Sequence, residues 1–206
     1  MARWYRLAEP AVALPPGLRR KAVARLELKP GDTVLEVGCG TGRNLRLLRE
    51  AVGSGGQVVG VDASCGMLAH ARRLVSKHDW ANVRLMHRDA ATLILDEEID
   101  GALFSLSYSV LPDREAVLSN VWGMMRPDGR LVVMDAGLPA SWLGRALTGF
   151  GELVARIFPG DPYSRPWEDL VRFSPAVTTE RFQFDTYFIC VVCKPRGSNS
   201  VDRSGG

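Results

Sequence analysis

Three acids, each placed where an apolar run gives out, pose the chemical question in this chain. Glu36 stands in "VLEVGCGTGRN", two residues before the first of three glycines packed into five positions. Asp62 ends "QVVGVD", and Asp89 follows "NVRLMHR". Close-set glycines let a ligand lie against the backbone, as pyrophosphate does in the dinucleotide turn G-x-G-x-x-G. Here Gly38, Gly40 and Gly42 make G-x-G-x-G, and Arg43 stands where the third dinucleotide glycine would be. A carboxylate just before the turn repels pyrophosphate and attracts an ammonium or sulfonium group. Asp62 follows Gly42 by 20 residues, the spacing at which an acid grips ribose hydroxyls. The ligand these residues fit is a nucleoside with positive charge and no phosphate. Any one of the acids alone is as readily a solvated strand end; the three together with the turn are not.

The elements that hold these residues alternate. "TVLEV" is a short apolar run stopping at glycine, as a buried parallel strand does. "RNLRLLREAV" follows with Leu45, Leu48 and Val52 at helical spacing, and "QVVGVD" makes a second strand. "MLAHARRLVSKH" is amphipathic, with Met67, Ala71, Leu74 and His78 on one face. "NVRLMHRD" and "IDGALFSLS" read as strands three and four, and a helix over 114–125 leads into the turn "RPDGR" and the strand "RLVVMDAG". Repeated strand–helix–strand units imply a parallel sheet with helices on both faces. "TTERFQF" and "TYFICVVCKP" leave no room for a crossover helix, so they should pair antiparallel at the sheet edge. The expectation is a single α/β domain over 1–196. Within it, 1–30 is a helical cover and 139–179 an acceptor or lid region; 197–206 reads as a flexible polar tail.

Bulk properties exclude several classes. The 206 residues suffice for one full-sized domain, and a net charge of +3 spread along the chain makes no stripe for nucleic acid. Cys39, Cys65, Cys190 and Cys193 are too scattered for a disulfide framework. Cys190 and Cys193 form C-x-x-C inside a strand, where positions three apart point to opposite faces, so neither metal nor redox chemistry is expected of them. No apolar leader follows the first arginines and no stretch is long enough to span a bilayer, so a reducing cytoplasm is the expected location.

With these residues in order, the chain resembles the class I S-adenosylmethionine-dependent methyltransferases. The resemblance covers roughly 32–135 and rests on "LEVGCGTG", "GVDAS" followed by "ML", "RDA", "DGALFSLS" and "RPDGRLVVMD". It implies a Rossmann-like, doubly wound, mostly parallel seven-stranded sheet with an antiparallel terminal strand, and S-adenosyl-L-methionine as cofactor. By the same resemblance Glu36 meets the methionine amino group, and Gly38, Cys39 and Gly40 form the turn against which the cofactor lies. Asp62 binds the ribose and Asp89 the adenine amino group, while Ala63 and Ala90 flank the ring. Met67 and Ser105 complete the cofactor set, and Tyr5 is the aromatic residue that closes over it. "SYSVLPD" with "RPDGRLVVMD" further resembles bacterial phospholipid and betaine-lipid N-methyltransferases and, less closely, quinone-ring C-methyltransferases.

The methyl acceptor is read from thinner signals. In open α/β sheets the ligand crevice lies beyond the carboxyl ends of the strands, so "FSLSYSVLPD" should border the transferred methyl. A neutral amine needs no strong base, whereas an alcohol or carbon acid does. Ser105, Ser107, Tyr108 and Ser109 orient rather than abstract, and Tyr108 is the expected acceptor-positioning residue. His87 is expected to be structural or at the surface. The favoured acceptor is an amine on a lipid head group or a hydrophobic small molecule. The alternatives are C- or O-methylation of a quinone-like ring, and a catalytically silent cofactor-binding subunit. The apolar face from Trp142 to Phe158, with Arg145 and Arg156, fits either a packed helix or peripheral binding to an anionic membrane. "FPGDPYSRP" reads as a cover loop, with Asp161 and Tyr163 placed to meet a cationic head group. Oligomeric state stays open.

Overall fold

The computed structural model describes residues 14–138 and 160–196. Seven strands form one sheet: β1 Thr33–Val37, β2 Gln57–Asp62, β3 Val83–His87, β4 Ile99–Ser105, β5 Met125–Ala136, β6 Thr178–Phe182 and β7 Tyr187–Cys193. Their order across the sheet is β3-β2-β1-β4-β5-β7-β6. β1 to β5 pair in parallel, and β7 runs antiparallel to both of its neighbours, β5 and β6. The last two strands pair as expected, but the chain's final strand is not the edge. β7 fits between β5 and β6, and β6 takes the rim.

Central strands are apolar without alternation because both faces are covered. Val34, Val58, Leu103 and Val132 face one layer, and Leu35, Val59, Phe104 and Val133 face the other. The first layer holds helices α1 Leu18–Ala24, α2 Leu45–Val52 and α3 Cys65–Lys77; the second holds α4 Arg114–Met124 and α5 Pro166–Leu170. Leu45, Leu48 and Val52 are fully buried on one stripe of α2. Burial of this kind contributes roughly 1.5–3 kcal/mol per side chain. Capping follows local chemistry: Ser64 Oγ accepts from Met67 N at 3.4 Å to start α3, and Asp113 Oδ1 accepts from Ala116 N at 2.9 Å to start α4.

Two local expectations are corrected. His78 does not join the buried stripe of α3, which is Leu68 and Ala71. It sits at the helix C-cap, exposed, with its ring stacked on Trp80 at 5.2 Å. The "RPDG" turn does not precede β5 but lies inside it as a bulge. Pairing jumps from Ile99↔Met125 to Gly101↔Arg130, and Asp128 takes a left-handed φ of 65°. Cys190 is buried and Cys193 exposed, consistent with opposite faces of β7. Among the described residues no helix is long and apolar enough to cross a membrane.

Candidate active site

The chain runs outward from β1 through β2 to β3, then restarts with β4 on the other side of β1. That reversal opens a crevice at the carboxyl ends of β1 and β4, and the glycine turn stands over it. Gly38 N–H and Cys39 N–H both donate to the Val61 carbonyl, at 2.8 and 3.0 Å, which ties the turn to β2. Gly38 has φ 69°, and a Cβ there would stand 2.5 Å from Ser107 Cβ. Only glycine lets the turn pass this close to the loop after β4. Gly40, φ 55°, differs: a Cβ would meet nothing nearer than Met67 Cε at 4.0 Å. The open space above its backbone is the cradle.

Glu36 faces the α1–α2 layer and is 1% exposed. Its Oε1 accepts from Asn44 Nδ2 at 2.6 Å, and its Oε2 is buried with no hydrogen-bond partner. Burial pushes its carboxyl up to about 7, against the pull of Asn44 and of the Arg19 charge. A buried carboxylate oxygen without a partner has the chemistry to take up a cation. Asp62 is held from two sides, with Oδ2 accepting from Gly40 N and Oδ1 from Ser64 N, both at 2.7 Å. The carboxylate is thereby fixed at the edge of the cradle, where a ribose would lie.

The residues expected from the sequence to meet the adenine stand at the ends of β2 and β3. His87 Nε2 lies 3.0 Å from the Ala63 carbonyl, so the tautomer with Nε2–H staples the two strand ends together. Asp89 Oδ1 accepts from Ala91 N at 2.9 Å and caps the short helical turn Ala90–Thr92. Ala63 is exposed and Ala90 nearly buried, its carbonyl held by Asn120 Nδ2 at 2.9 Å.

Two assignments from the sequence do not match the geometry. The Cys39 side chain points into the fold, with Sγ 3.0 Å from where a Cβ on Gly60 would lie, and burial pushes its thiol far up. With its N–H given to Val61 as well, Cys39 ties the turn to the fold, and its thiol is not turned to the crevice. Tyr108 is fully buried in the core on the α4–α5 side, edge-on to Phe104 at 6.1 Å, with its hydroxyl donated to Asp169. Burial and that carboxylate push its hydroxyl's pKa well above the usual phenol range. It anchors α5; it is not free to position an acceptor.

The loop after β4 is instead held by Asp135 at the carboxyl end of β5. Asp135 is 2% exposed and accepts from Ser109 N at 2.8 Å, Ser109 Oγ at 3.3 Å and Ala136 N at 2.8 Å. Burial lifts its carboxyl to about 6. Ser107 Oγ donates to the Val37 carbonyl at 2.6 Å, joining this loop to β1. Asp161, expected to meet a cationic head group, forms an ion pair with Arg114 at 2.9 Å, and Tyr163 points into solvent. Tyr5, the Trp142–Phe158 face with Arg145 and Arg156, and the tail 197–206 lie outside the described residues. Asn44 and Arg19 were missed from sequence. Asn44 ends the quoted stretch, at the N-cap of α2, yet its side chain makes no capping bond and turns to Glu36. Its sequence is that of an ordinary N-cap, and neither Asn44 nor Arg19 carried a signal of this in the sequence.

Comparison with known proteins agrees with this geometry. Residues 34–129 match a family model described as a methyltransferase domain. A demethylmenaquinone methyltransferase of Alkalihalophilus pseudofirmus is 29% identical over 165 residues, which are 75% of this chain and 69% of that protein. An arsenite methyltransferase of Halobacterium salinarum is 31% identical over 109 residues, 52% of this chain and 28% of that one. The chain thus spans between 28% and 69% of the length of these two curated relatives. Among solved structures, a SAM-dependent methyltransferase from Aquifex aeolicus superposes with a TM-score of 0.66 at 21% identity, covering 87% of this chain and 93% of that one. Strand order, cradle and matched domain agree, and residues 34–129 form a methyltransferase domain of the class I, S-adenosylmethionine-dependent kind.

Proposed function

We propose that this chain transfers the methyl group of S-adenosylmethionine to a hydrophobic small molecule, with a carbon of a quinone-like ring as the favoured acceptor. The observation that carries the donor half is the unsatisfied Oε2 of Glu36, on the strand that leads into the turn with the open backbone of Gly40. The cofactor supplies a methyl made electrophilic by a positively charged sulfur. Glu36 takes the ammonium of its methionine end, the Gly38–Gly40 backbone gives close approach, and Asp62 receives the ribose. The Ala63 and Ala90 wall with Asp89 receives the base. Methyl transfer is an in-line displacement, so holding the two reactants in line does much of the work. A reduced quinone-like ring is electron-rich at carbon, so it needs less help from a base than an unactivated carbon acid, and the proton it loses passes to solvent. The loop that borders the far side of the methyl is fixed by Asp135 to Ser109 and by Ser107 to Val37.

Seven of the eight curated relatives compared are named demethylmenaquinone methyltransferases, at 29–34% identity, and this supports the ring acceptor. Two residues expected to serve an amine head group, Tyr108 and Asp161, are engaged elsewhere, with Asp169 and Arg114. The test is incubation with methyl-labelled cofactor and either demethylmenaquinone, chemically reduced in detergent, or phosphatidylethanolamine vesicles. Label in the quinone supports the proposal. Label in the amine lipid alone overturns the acceptor and leaves the donor. Calorimetry showing no binding of the cofactor or its demethylated product overturns the whole reading.

A further inference from the structure

A surface cavity of about 640 Å³ joins α2 to α3, and its lining includes Arg43, Arg46, Arg49, Leu74, His78 and Trp80. That volume lies in the range of small-molecule sites. One wall is fixed. Arg49 Nε donates to Asn82 Oδ1 at 3.0 Å, its guanidinium lies 5.9 Å from the centre of the Trp80 ring, and His78 stacks on the same ring. A guanidinium held by a neutral amide and a ring keeps its full charge. Arg46 pairs with Glu50 at 2.8 Å, but both side chains are exposed, and a pair of that kind is weak enough to yield to another anion. The charge continues beyond the cavity. Arg72, Arg73 and Lys77 are exposed along α3, a helix with no acid of its own. From Arg43 to Asp79 the exposed acids are Glu50 and Asp79 alone, against six basic residues, in a chain whose whole net charge is +3. Charge that is spread along the sequence is thus gathered by the fold on two neighbouring helices.

We propose that the α2–α3 face docks on an anionic phospholipid surface, with one phosphate head group in the cavity at Arg46 and Arg49 and neighbouring head groups at Arg73 and Lys77. A nucleic acid would want an exposed ring on which its bases stack. Trp80 is 8% exposed, and its ring is already taken by His78 and Arg49. A single soluble phosphate would fill the cavity and leave the cations along α3 without a counterpart. A bilayer answers both, because it presents many head groups at once and attracts each basic residue near its surface. The cavity also reaches Gly42, the last glycine of the cofactor turn. A docked enzyme therefore keeps its crevice near the layer in which a hydrophobic acceptor dissolves.

The test is co-sedimentation with vesicles of phosphatidylglycerol mixed with phosphatidylcholine, and of phosphatidylcholine alone, at low and high salt. Neither cofactor nor acceptor is present, so the result does not depend on the reaction proposed above. The protein should sediment with the anionic vesicles only, and salt should release it. Changing Arg46→Gln together with Lys77→Gln should weaken binding roughly twenty-five-fold, since each basic residue near an anionic surface is worth about fivefold. Lys77→Gln alone should cost about fivefold, which keeps the test open if the double variant folds poorly. Arg165→Gln with Arg172→Gln removes the same charge beside α5, on the other face of the sheet, and should change binding by less than about twofold. Equal losses from the two pairs mean that only net charge acts, and they overturn the proposal, as does failure to bind anionic vesicles at low salt. Displacement by soluble glycerol phosphate would make a free phosphate the ligand instead. Tighter binding to a duplex oligonucleotide than to the vesicles would make the face one for nucleic acid, and either result also overturns the proposal.

Discussion

Replacing Glu36 with glutamine separates the cost of this carboxylate from its use. In the ligand-free protein its carboxyl is raised from 4.5 to about 7, chiefly by burial. The folded state therefore favours the protonated form. Stability from that preference is fully present below pH 4.5 and is lost as pH rises through 7. Over that window the difference corresponds to roughly 3 kcal/mol. Glutamine has the same shape, keeps an oxygen for Asn44 and never ionises, but its buried NH2 finds no acceptor, which costs about 1–2 kcal/mol. At pH 8, Glu36→Gln should thus be more stable than the parent by about 1–2 kcal/mol, a rise in melting temperature of roughly 2–8 °C. At pH 4.5 the order should reverse or vanish. Thermal melts across this range read the effect directly. The cofactor reverses the balance, because its ammonium needs the ionised acid. Binding to the parent should release up to one proton near pH 6, seen by calorimetry in buffers of different ionisation enthalpy, and Glu36→Gln should release none and bind more than about tenfold more weakly. A constant stability offset between the two proteins from pH 4.5 to 8 would refute the reasoning, since it would mean that Glu36 is ionised throughout.

Other substitutions probe the remaining parts. Asp62→Ala removes the acceptor for Gly40 N and Ser64 N as well as for a ribose, and should weaken cofactor binding by about 1–3 kcal/mol; normal affinity by calorimetry would remove Asp62 from the site. Gly38→Ala drives a Cβ to 2.5 Å from Ser107 Cβ at a left-handed φ, and should lower stability by at least about 2 kcal/mol in urea titration; an unchanged midpoint would show that the turn is looser than described. Tyr108→Phe leaves Asp169 without its donor and should cost about 1–3 kcal/mol of stability while turnover stays within about threefold. A large loss of turnover at unchanged stability would return Tyr108 to the acceptor. Changing both Cys190 and Cys193 to Ala should leave turnover within a few fold and metal content unaltered, because the side chains lie on opposite faces of β7; zinc lost with the thiols would contradict this.

What the sequence by itself determined was everything written in short-range periodicity. β1, β2, β4 and β7 are mostly apolar runs because both faces of the sheet are covered, and β1 and β2 stop at the glycine and the acid that begin their loops. The turn at Gly38–Gly42 with Glu36 and Asp62 is equally local in kind, since backbone conformation and the charge at a strand end need no distant partner to be read. Tertiary structure alone decided which polar groups face the crevice. Tyr108 looked free in its loop, but Asp169, 61 residues later, takes its hydroxyl. Arg19 sits in an unremarkable basic helix until folding brings it to Ser105, 86 residues away. Asn44 has the sequence of an N-cap, and only the buried acid eight residues before it explains why its amide turns elsewhere. The reason is common to all three. A buried polar group must find a partner or hold its place for a ligand, and which partner is within reach depends on the order in which the strands pack.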